Sequence, residues 1–202
     1  MVVDTVVALF VEDIGQVRFL TRLMERVAAE QEPSLQARII TRNATGGGAR
    51  VIAELRRFVR DLPTEEETPD LIVVALDCDC RRRSRVVRDL QKLLAGRVSS
   101  EIVFALPEPH VERWYLADQA ALQRVTGAPG MPSLPPPRCR KDLFKRALAD
   151  AFGAGDLYPS LGGVEYAEEI VSEMDLSVAA RNDASLGAFI QDFRHCVTRL
   201  TN

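Results

Sequence analysis

The chain has 202 residues, 47% hydrophobic and 27% charged, with a formal net charge of −3. That is the profile of an ordinary soluble protein with room for a real core, and its overall charge does not advertise nucleic-acid binding. No run approaches ~18 uninterrupted apolar residues, so no membrane span is expected, and no basic segment precedes an apolar run to mark a signal peptide.

Residues 3–11 are nearly continuously apolar and rich in valine, which predicts a strand buried on both faces, as in a parallel sheet. Asp13 then caps a helix over about 14–30, with Val17, Leu20, Leu23, Met24 and Val27 recurring at three and four. A second strand is expected over 35–41. The glycine-rich stretch Asn43 to Gly48 reads as a flexible loop; it is no Walker A motif, because no Gly-Lys-Ser/Thr follows. A helix over about 49–62 carries Val51, Ile52, Leu55, Phe58 and Val59 on one stripe, and an acidic loop spans 63–69. A wholly apolar third strand (71–76), a helix (84–94) and a fourth strand (101–106) follow. Alternating strands and helices predict an α/β fold with a mainly parallel four-stranded sheet, helices on both faces.

After Pro109 the pattern changes. One helix is expected over 111–125, then a Pro/Gly-rich loop, then helices at about 140–152, 163–174 and 184–200. The organisation is thus an α/β core over 1–126, a loop over 127–138, and a helical extension over 139–202 packed on the core. Cys78, Cys80, Cys139 and Cys196 are too scattered for a zinc ribbon and too few for a disulfide framework, so reduced thiols and a cytoplasmic protein are expected.

Loops at the carboxyl ends of parallel strands gather on one edge of the sheet, and sites form there. Glu12 ends the first strand; Asp77 and Asp79 end the third and, two apart, can face one point. Carboxylates crowded together repel one another, and a hard cation such as Mg2+ or Mn2+ relieves that repulsion. Two basic groups lie nearby in sequence: Arg81, Arg82, Arg83, Arg85 and Arg88, and Arg138, Arg140, Lys141, Lys145 and Arg146. Such clusters neutralise phosphates or form a solvated helix face. His110 reads as a capping or surface residue, Trp114 as core, and Asp118 as a hydrogen-bond acceptor near the site.

Val11-Glu12-Asp13 after a first strand and Leu76-Asp77-Cys78-Asp79 after a later one resemble a Toprim domain, found in topoisomerases, primases, recombination-repair proteins and nucleases of the overcoming-lysogenization-defect type. The stretch Glu112-Arg113-Trp114-Tyr115-Leu116-Ala117-Asp118 and the segment Asn182 to Phe189 resemble the signatures of a small stand-alone bacterial Toprim-like family of unknown function. The resemblance implies a Toprim-like Rossmannoid fold and Mg2+- or Mn2+-dependent phosphodiester chemistry, with Glu12, Asp77 and Asp79 as metal ligands and catalytic residues. Glu112 is then a further catalytic residue, and Arg81, Arg82, Arg113 and Lys141 are candidates for binding the substrate. Nucleic acid, DNA in preference, is the implied partner, with a partner ATPase and a role in phage defence by analogy. Two alternatives stand beside it. One is a non-catalytic interaction module. The other is a phosphoacceptor receiver-like domain, weakened because no fifth strand with a following lysine is evident.

Overall fold

The computed structural model describes residues 3–31, 35–42, 45–62, 68–130, 134–140, 142–155 and 159–201. Four runs of aliphatic and β-branched residues form β1 (Val3–Phe10), β2 (Leu35–Arg42), β3 (Leu71–Ala75) and β4 (Glu101–Ala105). They build one all-parallel sheet in the order β2-β1-β3-β4, with Val7 of β1 opposite Leu71 and Phe10 opposite Val74. The crossovers carry α1 (Ile14–Ala29), α2 (Gly47–Asp61) and α3 (Arg83–Leu94).

The period of two along each strand divides the core into two layers. Val7, Leu9 and Val11, with Leu71, Val73 and Ala75, meet Phe19, Leu20 and Leu23 of α1. Ala8, Phe10, Ile72 and Val74 point the other way, onto Leu55 and Phe58 of α2 and Val86 and Leu90 of α3. The central strand β3, apolar and buried at all its positions, is what this demands where both faces are covered.

The rest of the chain forms α4 (Glu112–Tyr115), α5 (Gln119–Thr126), α6 (Leu143–Gly153), a 3-10 turn (Val164–Tyr166), α7 (Ala167–Glu173), α8 (Leu176–Asn182) and α9 (Ala184–Thr201). Phe144, Phe152, Ile170, Phe189 and Phe193 join the same buried cluster as Val7 and Val73, so these helices share the core of the α1 face. Helix α1 packs against α7 and α9, and α9 also lies along β4. Among the described residues no helix is long and apolar enough to cross a membrane.

Three expectations are corrected. The single helix over 111–125 is two, because the Asp118 carboxylate accepts the N–H groups of Ala120 (3.1 Å) and Ala121 (3.2 Å) and starts a new helix there. Helix α8, absent from the sequence reading, is opened the same way by Asp175, which accepts from Ser177 and Val178. The four cysteines are not all reduced. Cys80 and Cys139 form a disulfide with Cα atoms 5.1 Å apart, while Cys78 and Cys196 are free and buried. The proline-rich segment folds back over the loop after β3, a proximity that a separation of 59 residues conceals.

Candidate functional site

With the order β2-β1-β3-β4, the chain leaves β1 toward one edge and returns on its other side at β3. The crevice beyond the carboxyl ends of β1 and β3 is therefore the switch point, where open α/β sheets place their ligands. Glu12 and Asp77 stand on its two sides. Asp13 caps α1 by accepting the Gln16 N–H at 2.9 Å, which fixes Gln16 over the crevice. The buried Gln16 amide then bridges the two strands: its Oε1 accepts the Glu12 N–H at 2.9 Å and its Nε2 donates to Asp77 Oδ1 at 3.0 Å. Glu12 Oε1 in turn accepts the Asp77 N–H at 2.7 Å.

The loop after β3 stays laddered to the loop after β4, Cys78 N–H donating to Pro107 and Asp79 N–H to Pro109, both at 3.0 Å. This brings His110 and Val111 over Asp77. Val111 N–H donates to Asp77 Oδ1 at 3.1 Å, and His110 Nδ1 lies 3.2 Å from Asp77 Oδ2 and 3.6 Å from Asp79 Oδ1. Asp79 holds a left-handed backbone (φ 51°) and its side chain is exposed. On the far side, a Cβ at Gly48 would come within 3.3 Å of Glu12 Oε1, so glycine lets the first turn of α2 close onto that carboxylate.

Burial pushes the Glu12 carboxyl up to about 7, and the neighbouring Asp77 charge adds to the shift. Burial also raises Asp77, against the hydrogen bond from His110. His110 is raised chiefly by that same hydrogen bond. The oxygen donors of Glu12, Asp77 and Asp79 suit a hard divalent cation by their chemistry, and the raised Glu12 is a carboxylate that a cation would relieve. Among the described residues, however, no three His, Cys, Asp or Glu side chains are disposed as ligands around one point. Asp77 is turned onto Gln16, Val111 and His110, and Asp79 faces solvent.

No family model, characterised protein or solved structure matches the chain.

The disulfide joins the two basic groups. Arg81 and Arg82 follow Cys80, and Arg138 and Arg140 flank Cys139, all four exposed. Asp79, Arg81, Arg82 and Pro137 line a cavity of about 280 Å3 beside this bond, next to the acids. Arg81 donates to the Asp77 carbonyl at 3.2 Å. Lys141 lies outside the described residues, as do residues 43–44 of the glycine-rich loop and 63–67 of the acidic loop.

Arg113, a candidate for binding the substrate, is placed in the core. It is buried, its Nε is 2.7 Å from Asp183 Oδ2, and its remaining donors go to the carbonyls of Pro135 and Asn182. The segments 112–118 and 182–189 face each other. Trp114 Nε1 donates to Ser185 Oγ at 2.8 Å, Trp114 stacks on Phe189 at 5.7 Å, and Asn182 Nδ2 donates to the Ala117 carbonyl at 2.9 Å. Trp114 is core, as expected, and Asp118 is a helix cap that also accepts the Asp175 N–H at 2.7 Å. Glu112 lines a second cavity together with Asp13 and Lys145.

Neither Gln16 nor the pairing of His110, expected as a capping or surface residue, is evident in the sequence pattern. Gln16 had only a local signal: it stands three residues after a capping aspartate, where a Gln side chain reaches back across the helix start. His110 had none, because its partner Asp77 is 33 residues away.

Proposed function

We propose that the chain is a Toprim-like, Mg2+- or Mn2+-dependent nuclease or nucleic-acid-processing protein. The observation that carries this reading is a juxtaposition. The hydrogen-bonded acids Glu12 and Asp77 sit at the β1/β3 switch point, beside Asp79 and four exposed arginines gathered by the Cys80–Cys139 bond. Glu12, Asp77 and Asp79 would hold the cation, which when bound supplies an activated water and neutralises charge on a phosphoryl group. Arg81, Arg82, Arg138 and Arg140 would hold the phosphodiester backbone at the mouth of the crevice. Gln16 positions Glu12 and Asp77 against each other, and His110 holds Asp77 from the other side. DNA is the preferred substrate in this proposal, and a partner ATPase, phage defence and a cytoplasmic location belong to it through the resemblance alone. In a reducing cytoplasm, persistent disulfides are rare.

One observation favours a second reading, a non-catalytic interaction module: the Asp77 oxygens are already taken by protein donors. Manganese titration by calorimetry, with nicking of supercoiled plasmid by the wild type and by Asp77→Ala, separates the two. The proposal expects saturable metal binding and nicking, both lost in the variant. Neither metal binding nor nicking by the intact chain would leave the interaction module standing.

A further inference from the structure

The two helices on the sheet face opposite α1 are charged unlike the rest of the molecule. Helices α2 and α3 carry eight basic side chains against three acidic ones, a surplus of five in a chain of net charge −3. Val86, Leu90 and Leu94 of α3 are buried against Ile72 and Val74. A stripe buried at 86, 90 and 94 puts positions 85, 88 and 92 on the opposite crest of the helix. Those positions are Arg85, Arg88 and Lys92, all exposed. On α2, which buries Leu55 and Phe58 on the same layer, Arg50 and Arg56 are exposed, as are Arg57 and Arg60 beside Asp61.

Two observations distinguish this surface from an ordinary solvated face. The first is the lack of partners. On the other side of the sheet, exposed Arg124 and Arg199 are held by Glu173 and Glu101 at 2.8 and 2.6 Å. On α3 the one cation in an ion pair, among the described residues, is half-buried Arg83, 3.9 Å from Asp192. Arg85, Arg88 and Lys92 thus stack like charges at i, i+3 and i+7, an arrangement that destabilises a helix until something neutralises it. The second is position. Helix α3 begins just after Arg81 and Arg82 at the mouth of the crevice, and α2 begins where Gly48 closes onto Glu12. Both helices run away from the acids, and the cations from Arg82 to Lys92 extend for about 15 Å.

The chemistry of this face selects its partner. A single strand is held by stacking its bases on exposed aromatic rings. The one aromatic side chain of α2 and α3, Phe58, is buried. A protein partner wants large apolar side chains at the centre of the contact. Those exposed among the described residues, Ile14 and Leu161, lie outside both helices. A duplex needs neither, because its phosphates, one charge per about 1.7 Å of axis, are bound by cations alone. We propose that the α2/α3 face is a docking surface for double-stranded nucleic acid. It holds the duplex by its phosphates, without regard to sequence, and leads one strand to the crevice. The proposal deepens the nucleic-acid reading above and rests on it, without depending on the metal.

The test uses the full chain in EDTA. Fluorescence anisotropy would follow labelled duplexes of two unrelated sequences, and one of their single strands, over a range of salt. Expected is equal binding of the two duplexes, tighter than that of the single strand. Arg85→Ala/Arg88→Ala/Lys92→Ala should weaken duplex binding by about tenfold or more and lower the slope of log affinity against log salt by about 3. Arg50→Ala/Arg56→Ala should lower that slope by about 2. Arg181→Ala/Arg199→Ala, exposed on the opposite side, should leave it unchanged. All the changed side chains are exposed, and Trp114 emission like that of the wild type checks that each variant is folded. No duplex binding, tighter binding of the single strand, or a wild-type slope in the triple variant overturns the proposal. So does binding of poly-glutamate through these cations in place of the duplex, which would give the face to an acidic protein. Failure of the metal proposal reads separately, as absent manganese binding and nicking with duplex binding intact.

Discussion

Within the acid crevice, the surroundings of Glu12 alter its chemistry. Its carboxyl is pushed up to about 7 from an ordinary 4.5, so the folded state favours the proton. The stabilisation is fully present below about pH 4.5 and is lost as pH rises through about 7. Shifted His110 acts in the same direction, being raised as well. In EDTA the wild type should therefore lose up to about 3 kcal/mol of stability from Glu12 between those limits. Glu12→Gln, which keeps an acceptor for the Asp77 N–H, should flatten the profile and be the more stable protein at pH 7.5. Urea titrations at several pH values check this, and parallel profiles for the two proteins would refute the assignment. Arg113 supplies the opposite lesson. Its pair with Asp183 is buried on both sides, so Arg113→Met strands a carboxylate in the core and should cost about 3–5 kcal/mol, measured in the same titration. Arg113→Met combined with Asp183→Leu should recover part of that loss.

At the scale of elements, the disulfide carries the most consequence. It closes a loop of 59 residues that contains α3, β4, α4 and α5, and holds the segment around Cys139 against the loop after β3. By loop-closure entropy Cys80→Ser should destabilise the protein by about 4 kcal/mol at most, read as a lower denaturation midpoint with little change under reducing agent. The same elements show what a sequence reveals. All four strands and α1 to α3 are legible because apolar runs and a 3.6-residue period report burial directly. The site acids at the ends of β1 and β3 are legible because strand ends gather on one edge. The break between α4 and α5 is not, since Asp118 looks like any polar surface residue until its capping role is seen. Arg113 misleads for a related reason: a cation in sequence carries no mark of the carboxylate 70 positions away that buries it. The pairing of Cys80 with Cys139 is a tertiary fact without a local pattern.

For the molecule as a whole, net charge is a poor guide and its distribution a better one. A chain of charge −3 still presents Arg81, Arg82, Arg138 and Arg140 together beside its acid crevice. If these hold a phosphodiester backbone, each Arg→Ala change should weaken DNA binding alike on unrelated sequences. It should also reduce the slope of log affinity against log salt by about 1, measured by fluorescence anisotropy. A slope unchanged in all four variants would move the interface elsewhere. The last consequence is optical. The chain has one tryptophan, and Trp114 is buried with its indole N–H on Ser185 and its ring against Phe189, both of α9. Its emission is therefore a single-site reporter of whether the carboxyl-terminal helix is docked on the sheet. Because α9 shares one core with β1 and β3, a red shift of that emission should coincide with loss of far-ultraviolet circular dichroism in a denaturant titration. An emission change that comes first would show that the tail opens as a unit of its own.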